Sequence, residues 1–247
     1  MPYSEQQITS KRQWSDNVFT FTTTRPEGFE FKNGQFVTLG LRPQEKLISR
    51  AYSIVSSNDD EQLEFLSIRI ADGPLTSELS RVDEGNPIWI NTKSTGSLTL
   101  DHVLPGRHLY LLATGTGLAP FVSLLRGAEV FNQFEKVILV HTVRKLKGLA
   151  YRDELEAIKN DQFCYVPTVT REEFETRQRG TELFFSGELT KKLKLPEIDP
   201  QHDRVMICGN PNMNQDMSDY LGKNGWQMTN YQGVGNFTVE QAFVIPR

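Results

Sequence analysis

The chain has 247 residues, 38% of them hydrophobic and 23% charged, which is ordinary for a folded protein of one large or two small domains. Its formal net charge of −4 argues against a generic nucleic-acid binder, because binding to phosphates needs a clustered basic surface. Its only two cysteines, Cys164 and Cys208, are too few for a disulfide framework or for an iron–sulfur cluster held by the usual four thiolates.

The first residues, MPYSEQQITSKRQW, are polar and contain no apolar stretch of signal-peptide length. No segment of the chain approaches the ~18 consecutive apolar residues of a membrane-spanning helix. We therefore expect a cytoplasmic protein with no membrane partner, and we expect it to be a monomer.

Residues 1–104 are predicted to form an antiparallel β domain. Alternating segments between turns rich in Gly, Pro and Asn lie at residues 18–24, 35–41, 63–70 and 87–93. Strands at such regular spacing are typical of a barrel or a sandwich. One short helix is predicted in this part, with Thr76 or Ser77 as its N-cap.

Residues 105–247 are predicted to form an α/β domain with a parallel sheet. Short and nearly continuous apolar runs lie at residues 109–114, 136–143, 163–170 and 204–209. Segments of helix length separate them. Strands with this composition are buried on both faces, as in a parallel sheet covered by helices.

The segment LLATGTGLAP, residues 111–120, carries a nucleotide-binding signal. Glycines 115 and 117 follow a predicted strand, and a helix is predicted to begin near Pro120. Glycines let a ligand approach the backbone, and the free N–H groups of a helix N-terminus attract phosphate. The spacing G-x-G-x-x-P differs from the usual G-x-G-x-x-G, so a glycine turn without a nucleotide stays an alternative.

Three arginines follow later predicted strands, namely Arg144, Arg171 and Arg179. The ends of adjacent parallel strands meet in one crevice, and a guanidinium group binds phosphate through two hydrogen bonds. This pattern favours NADP, with its 2′-phosphate, over NAD. Solvated loop arginines are the alternative.

The segment MICGNPNM, residues 206–213, places Cys208 at the carboxyl end of a predicted strand and Pro211 at the start of a helix. Ligands bind at that end of a parallel sheet. A buried cysteine that serves as a small apolar residue is the alternative.

The segment KLISRAYSIVSS, residues 46–57, combines a strand pattern with polar groups. Arg50, Tyr52 and Ser53 bring a guanidinium fork, an aromatic ring and a hydroxyl into a few positions. Together these groups suit a flat, anionic ligand.

In their order and spacing, RAYS at 50–53, GTGLAP at 115–120 and CGNPNM at 208–213 resemble the motifs of the ferredoxin–NADP reductases of the bacterial type. The likeness covers nearly the whole chain and agrees with the change of pattern near residue 104. It implies an FAD-binding, Greek-key-like antiparallel β-barrel followed by an NADP-binding α/β domain with a parallel sheet.

The resemblance implies that Arg50, next to Ala51, binds the FAD pyrophosphate. It implies that Tyr52 lies against the isoalloxazine and ribityl chain, and that Ser53 forms a hydrogen bond near flavin N5. Further implied FAD contacts are Ser67, Ile68, Arg69, Gly73, Leu75, Thr76 and Ser77.

For NADP(H), the resemblance implies that Thr116 and Gly117 lie near the nicotinamide and that Cys208 holds its ring against the flavin. It implies that Arg144, Arg171 and Arg179 bind the 2′-phosphate. The tail VEQAFVIPR resembles a bacterial subgroup in which an Ala-Phe-Val segment covers the flavin, so Ala242 and Phe243 are candidates there. The catalytic candidates are Ser53, Cys208 and Phe243, as positioning groups and not as nucleophiles.

The implied activity is hydride transfer between NADPH and FAD, with single electrons passing between FAD and a separate ferredoxin or flavodoxin. Two alternatives stay open: an NAD(P)H-dependent flavin or quinone reductase on the same scaffold, and a non-catalytic flavin-binding module, against which the intact nucleotide motifs argue. No metal site is expected, because the four histidines lack ligand spacing and suit structural or surface roles. They are His102, His108, His141 and His202.

Overall fold

Six antiparallel strands form the N-terminal part of the protein, in a computed structural model that describes residues 2–43 and 46–241. They are β1 (Tyr3–Gln13), β2 (Val18–Thr24), β3 (Phe36–Leu41), β4 (Ile48–Ser53), β5 (Gln62–Ile68) and β6 (Pro87–Asn91). Their spatial order is β4-β3-β6-β1-β2-β5, and a bridge between Ile54 and Phe65 joins the two ends. The sheet is thus a nearly closed barrel, as predicted, and closure protects the backbone of its edge strands.

The short predicted helix is α1 (Thr76–Leu79), but its N-cap is Leu75 and no side chain caps it. The expectation that Thr76 or Ser77 caps this helix was therefore wrong. The Thr76 hydroxyl accepts a hydrogen bond from the Ile70 amide at 3.2 Å, and the Ser77 hydroxyl donates to the Gly73 carbonyl at 2.7 Å. Both hydroxyls therefore form hydrogen bonds with the preceding turn and are not available to cap the helix.

Five parallel strands form the second sheet. They are β7 (His108–Thr114), β8 (Lys136–Val143), β9 (Phe163–Val169), β10 (Arg204–Gly209) and β11 (Phe237–Gln241). Their order is β11-β10-β7-β8-β9. The chain winds outward from β7 to β9 and then crosses to β10, so the order reverses between β7 and β10, and a crevice at such a reversal is where this kind of sheet binds nucleotides.

The helices of the second part are α2 (Ala119–Arg126), α3 (Val130–Gln133), α4 (Arg152–Glu156), α5 (Gly180–Phe185), α6 (Glu188–Leu193) and α7 (Pro211–Lys223). Pro120 lies in the first turn of α2, as predicted, where its missing N–H is not needed. Asn210 caps α7, since its side-chain oxygen accepts a hydrogen bond from the Met213 amide at 3.0 Å.

The parallel sheet is buried on both faces. Leu111 and Leu139 belong to the apolar cluster on one face, and Val140 belongs to the cluster on the other. The first cluster also contains Val55 and Leu98 from the N-terminal part, so the barrel and the sheet share one apolar interface. The domain boundary near residue 104 stays a prediction.

Within residues 2–43 and 46–241, no helix is both long enough and apolar enough to cross a bilayer. In the same part of the chain, no three His, Cys, Asp or Glu side chains are grouped so that they could hold a metal ion.

Candidate functional site

Arg50 lies on β4, at one end of the strand order of the barrel sheet, and both Arg50 and Ala51 are exposed. The Arg50 guanidinium donates to the Ser49 carbonyl at 2.7 Å. Among the residues whose structure is described, no carboxylate forms an ion pair with Arg50. An exposed guanidinium without an anionic partner fits the pyrophosphate expected here.

The Tyr52 ring is only 9% exposed and packs edge-on against Phe21 and Phe65 in the barrel core. Its hydroxyl lies 3.1 Å from the hydroxyl of Ser67 on β5. Burial raises the pKa of Tyr52 to about 12, so the phenol is neutral at physiological pH. The structure therefore brings two predicted FAD residues together, and the contact of Tyr52 with the flavin stays a prediction.

The other predicted FAD residues follow along the chain. Ser67 and Leu75 are buried in the barrel, Ile68 is half-buried and Arg69 is exposed. Arg69 lines a groove of about 760 Å³ together with Trp14, Arg81 and Lys147. Arg50, Tyr52 and Ser53 do not line this groove, so the predicted FAD contacts do not all converge on it.

The predicted nicotinamide turn lies at the reversal point of the parallel sheet. Gly115 has a φ of +53°, which favours glycine. Gly117 is needed for a different reason, because a Cβ added there would lie 2.1 Å from the carbonyl oxygen of Cys208. The turn between β7 and α2 thus packs directly against the end of β10, and Thr116 lies half-buried between the two glycines.

Cys208 is 1% exposed. Burial, together with the nearby carboxylate of Glu240, raises the pKa of the Cys208 thiol well above its ordinary value. The thiol is therefore protonated at neutral pH and is a poor nucleophile. This agrees with a packing and positioning role.

Glu240 on β11 is a residue of the site that the sequence analysis missed. It lies opposite Cys208 in the pairing of β10 with β11. Its carboxylate accepts hydrogen bonds from the amide and the hydroxyl of Ser97, the latter at 3.2 Å, and from the Leu98 amide at 3.3 Å. Burial raises the pKa of Glu240 despite these bonds. The available signal was its position two residues before Ala242 in the segment that resembles the flavin-covering tail.

The barrel and the parallel sheet meet beside these residues. Ser53 pairs with Phe36 in the β3–β4 ladder. A Cβ added to Gly96 would lie 3.1 Å from the Phe36 ring and 3.0 Å from a carboxylate oxygen of Glu240. Ser53 and Cys208, predicted from separate motifs, therefore lie on the two sides of one junction.

The three predicted phosphate-binding arginines lie at one edge of the parallel sheet. The Arg171 amide donates to the Arg144 carbonyl at 2.9 Å, which places the two residues side by side after β9 and β8. Arg179 precedes α5, and the amide of its neighbour Gly180 donates to Thr142 at the end of β8 at 3.0 Å.

All three arginines are exposed, and in the described ranges none of their guanidinium groups pairs with a carboxylate. Three guanidinium groups without a carboxylate partner, near the carboxyl ends of β8 and β9, form a donor set that fits a phosphate monoester. Ala242 and Phe243 lie outside the described residues, so their predicted roles stay predictions.

Two matches to protein-family models agree with this arrangement. Residues 5–98 match the oxidoreductase FAD-binding domain, and residues 111–219 match the oxidoreductase NAD-binding domain. The class that the fold and the site define is therefore a flavin-dependent and nicotinamide-dependent oxidoreductase.

Full-length relatives narrow this class. The chain is 43% identical to a ferredoxin–NADP reductase of Azotobacter vinelandii over 97% of both chains, and 44% identical to one of Pseudomonas aeruginosa over 98% of both. A crystal structure of a Neisseria gonorrhoeae ferredoxin NADP+ reductase with bound FAD and NADP superimposes with a TM-score of 0.93, at 32% identity, over 98% of this chain and 100% of that one. The chain belongs to the ferredoxin–NADP reductase family, and its cofactors are FAD and NADP(H).

Proposed function

We propose that this chain transfers hydride between NADPH and FAD and exchanges single electrons with a separate ferredoxin or flavodoxin. The observation that carries the proposal is the junction at Gly96. There Phe36, which pairs with Ser53 of the barrel, and Glu240, which pairs with Cys208 of the parallel sheet, border the same glycine. Hydride transfer needs two rings held in contact, and residues from both parts are needed to hold them. Bound FAD would supply the conversion between a two-electron hydride and single electrons.

Three residues of the barrel would each bind a different part of FAD. Arg50 would bind the pyrophosphate, because its exposed guanidinium has free donors. Ser53 is half-buried at the end of β4, where its hydroxyl would donate to or accept from a ring nitrogen. Tyr52 would support the flavin with its ring edge and hold β4 to β5 through Ser67.

The parallel sheet would hold NADP(H). Arg144, Arg171 and Arg179 would bind the 2′-phosphate, and the turn at Gly115–Gly117 would accept the nicotinamide end at the crevice between β7 and β10. The neutral Cys208 thiol would pack against the nicotinamide ring and exclude water. No general acid or base of the chain is needed for hydride transfer itself.

The electron carrier is proposed to be another protein, because two cysteines cannot supply the usual four ligands of an iron–sulfur cluster. Relatives at 43% and 44% identity are named for ferredoxin. One from Rhodobacter capsulatus, 41% identical over 97% of this chain and 93% of its own, is named flavodoxin/ferredoxin–NADP reductase. This name supports flavodoxin as a second acceptor.

We further propose a monomer in the cytoplasm. A monomer suffices because the residues on both sides of the junction belong to one chain. Cys164 and Cys208 are both free thiols, which suits a reducing compartment. Sedimentation of the FAD-loaded protein and fractionation of cells would test the two parts separately.

Anaerobic stopped-flow spectroscopy tests the proposed function. FAD-loaded protein mixed with NADPH should lose its flavin absorbance quickly, and with NADH slowly. A second assay measures cytochrome c reduction with ferredoxin, with flavodoxin, and with free flavins or quinones alone. Turnover that is fast on free flavins or quinones and indifferent to both carriers would replace the proposal with a flavin or quinone reductase.

A further inference from the structure

His141 is a fully buried histidine in the middle of the parallel sheet. It is 0% exposed on β8 and lies between Ala113 of β7 and Pro167 of β9 in the strand registers. Strand side chains alternate between faces, so His141 shares a face with Leu139, on the side that packs towards the barrel. A polar ring in this position needs hydrogen-bond partners.

The two ring nitrogens of His141 have different partners. Nε2 lies 3.1 Å from the carbonyl oxygen of Gly115, and Nδ1 lies 3.5 Å from the hydroxyl of Tyr165. A carbonyl oxygen only accepts, so the proton of the neutral ring must be on Nε2. Nδ1 then accepts from the Tyr165 hydroxyl. Burial lowers the pKa of His141 to about 4, which keeps the ring neutral at physiological pH.

The partner of His141 is the first residue of the nicotinamide turn. Gly115 has its φ at +53°, and a Cβ built on it would have no neighbour within 4 Å. Glycine has no side chain that packing could hold, and Gly115 opens a 3₁₀ helix over Gly115–Leu118. The hydrogen bond from His141 adds an anchor on β8 to the backbone of this helix, because the imidazole is fixed between two neighbouring strands.

The residue before the turn is held in a comparable way from the other side of the crevice. The amide of Asn210 and its side-chain nitrogen donate to the hydroxyl of Thr114 at 2.8 and 3.2 Å. Asn210 is itself fixed as the cap of α7. Side chains from β8 and from the start of α7 thus constrain successive residues, Thr114 and Gly115.

We propose that His141 is a positioning residue for NADP(H): its Nε2–H holds the Gly115 carbonyl and so preforms the Gly115–Gly117 turn before the nucleotide binds. This inference rests on the proposed function, since it assumes that the turn receives the nicotinamide end. A preformed turn loses less conformational freedom on binding, and the nucleotide binds more tightly for that reason.

The test compares two variants in FAD-loaded protein. His141→Leu removes the Nε2–H donor and fills the buried position with an apolar side chain. His141→Gln keeps an N–H donor. NADP+ is titrated and the flavin difference spectrum is followed. We expect His141→Leu to raise the Kd for NADP+ about tenfold, as for the loss of one good hydrogen bond, and His141→Gln to restore most of the affinity.

Ile138→Ala is the matched control. Ile138 lies on the same strand and is 0% exposed, but it faces the other side of the sheet. Its truncation should lower the melting temperature and leave the Kd for NADP+ unchanged. Folded His141→Leu protein that binds NADP+ as tightly as the unaltered protein would overturn the inference while leaving the proposed function intact. Unaltered protein that does not bind NADP+ would overturn both.

A second measurement needs no variant, in case His141→Leu does not fold. The ¹⁵N chemical shifts of the imidazole in the unaltered, FAD-loaded protein report which nitrogen carries the proton. We expect the proton on Nε2. A proton on Nδ1 would overturn the inference, because Nε2 would then have no hydrogen to donate to Gly115.

Discussion

Glu240 lies opposite Cys208 in the parallel pairing of β10 with β11, and its carboxylate reaches across to the barrel, where it accepts hydrogen bonds from Ser97 and Leu98. One side chain therefore borders the buried thiol and joins the two parts of the protein.

Glu240→Ala should destabilise the protein and slow hydride transfer. The substitution leaves the Ser97 and Leu98 donors without their acceptor, and a hydrogen bond to a charged group contributes roughly 1.5–3 kcal/mol. Glu240→Gln keeps an acceptor oxygen and should cost less. Urea unfolding and anaerobic flavin reduction by NADPH measure the two effects.

Glu61→Ala is the control for Glu240→Ala, because Glu61 is an exposed carboxylate on the barrel. It should change the free energy of unfolding by less than about 0.5 kcal/mol. If Glu240→Ala behaves in the same way, Glu240 does not hold the two parts together.

Arg144→Ala should raise the KM for NADPH and leave the KM for NADH nearly unchanged. Its guanidinium is expected to bind the 2′-phosphate, which NADH lacks, and loss of a charge-assisted bond of roughly 1.5–3 kcal/mol corresponds to at least about a tenfold change. We expect the KM for NADPH to rise by about that factor and the KM for NADH to stay nearly constant. Steady-state kinetics with both nucleotides makes the measurement.

Lys159→Ala is the control for net charge in the Arg144 experiment. Lys159 is exposed and lies in the loop before β9, at the amino end of the strands and away from the arginines. Its removal should affect both nucleotides little. An equal rise of both KM values in Arg144→Ala would remove Arg144 from the phosphate site.

Local patterns predicted most of the fold because burial and alternation are local properties. The runs at residues 18–24, 136–143 and 204–209 coincide with β2, β8 and β10. The strand β1 was missed because only Ile8 of its eleven residues is buried. Its backbone pairs with β2 and β6, and this pairing leaves no periodic pattern in the sequence.

Candidate residues such as Arg50 and Gly115 could be proposed because one short segment carries the pattern, and their contacts with FAD and NADP(H) stay predictions. Contacts between residues that are far apart in sequence could not be predicted. Glu240 binds Ser97 and Leu98, which precede it by 143 and 142 residues, and β11 was interpreted only as part of a tail. His141 was assigned a structural or surface role for the same reason, because strand pairing alone brings it to Gly115.

The ion pairs of Arg126 should contribute more to the free energy of unfolding than a surface ion pair does, because they join three elements. It donates to Glu64 on β5 at 2.6 Å and to Glu154 on α4 at 2.8 Å, and the Tyr151 hydroxyl donates to Glu64 at 2.7 Å. The Arg126 and Glu64 side chains are 25% and 20% exposed. A double-mutant cycle with Arg126→Met and Glu64→Gln should give a coupling energy of about 2 kcal/mol.

The exposed pair Arg152–Glu156, one helical turn apart on α4, is the comparison for that cycle. Its coupling should be no more than about 0.5 kcal/mol. Equal coupling energies in the two cycles would mean that the Arg126 network does not clamp the barrel to the second part.

His141 should make the protein less stable in acid. In the unfolded chain its pKa is near 6.5, as for an ordinary histidine, whereas burial lowers it to about 4 in the folded protein. Between these values only the unfolded chain binds the proton, so the free energy of unfolding falls as the pH falls through this window. By linkage, the contribution lost between about pH 7.5 and about pH 5 is about 2 kcal/mol. Urea unfolding of the unaltered protein and of His141→Leu at both pH values measures it, since all other ionisable groups are common to the two proteins. The unaltered protein should lose about 2 kcal/mol more than the variant, and the same loss in both would show that His141 is not held neutral by burial.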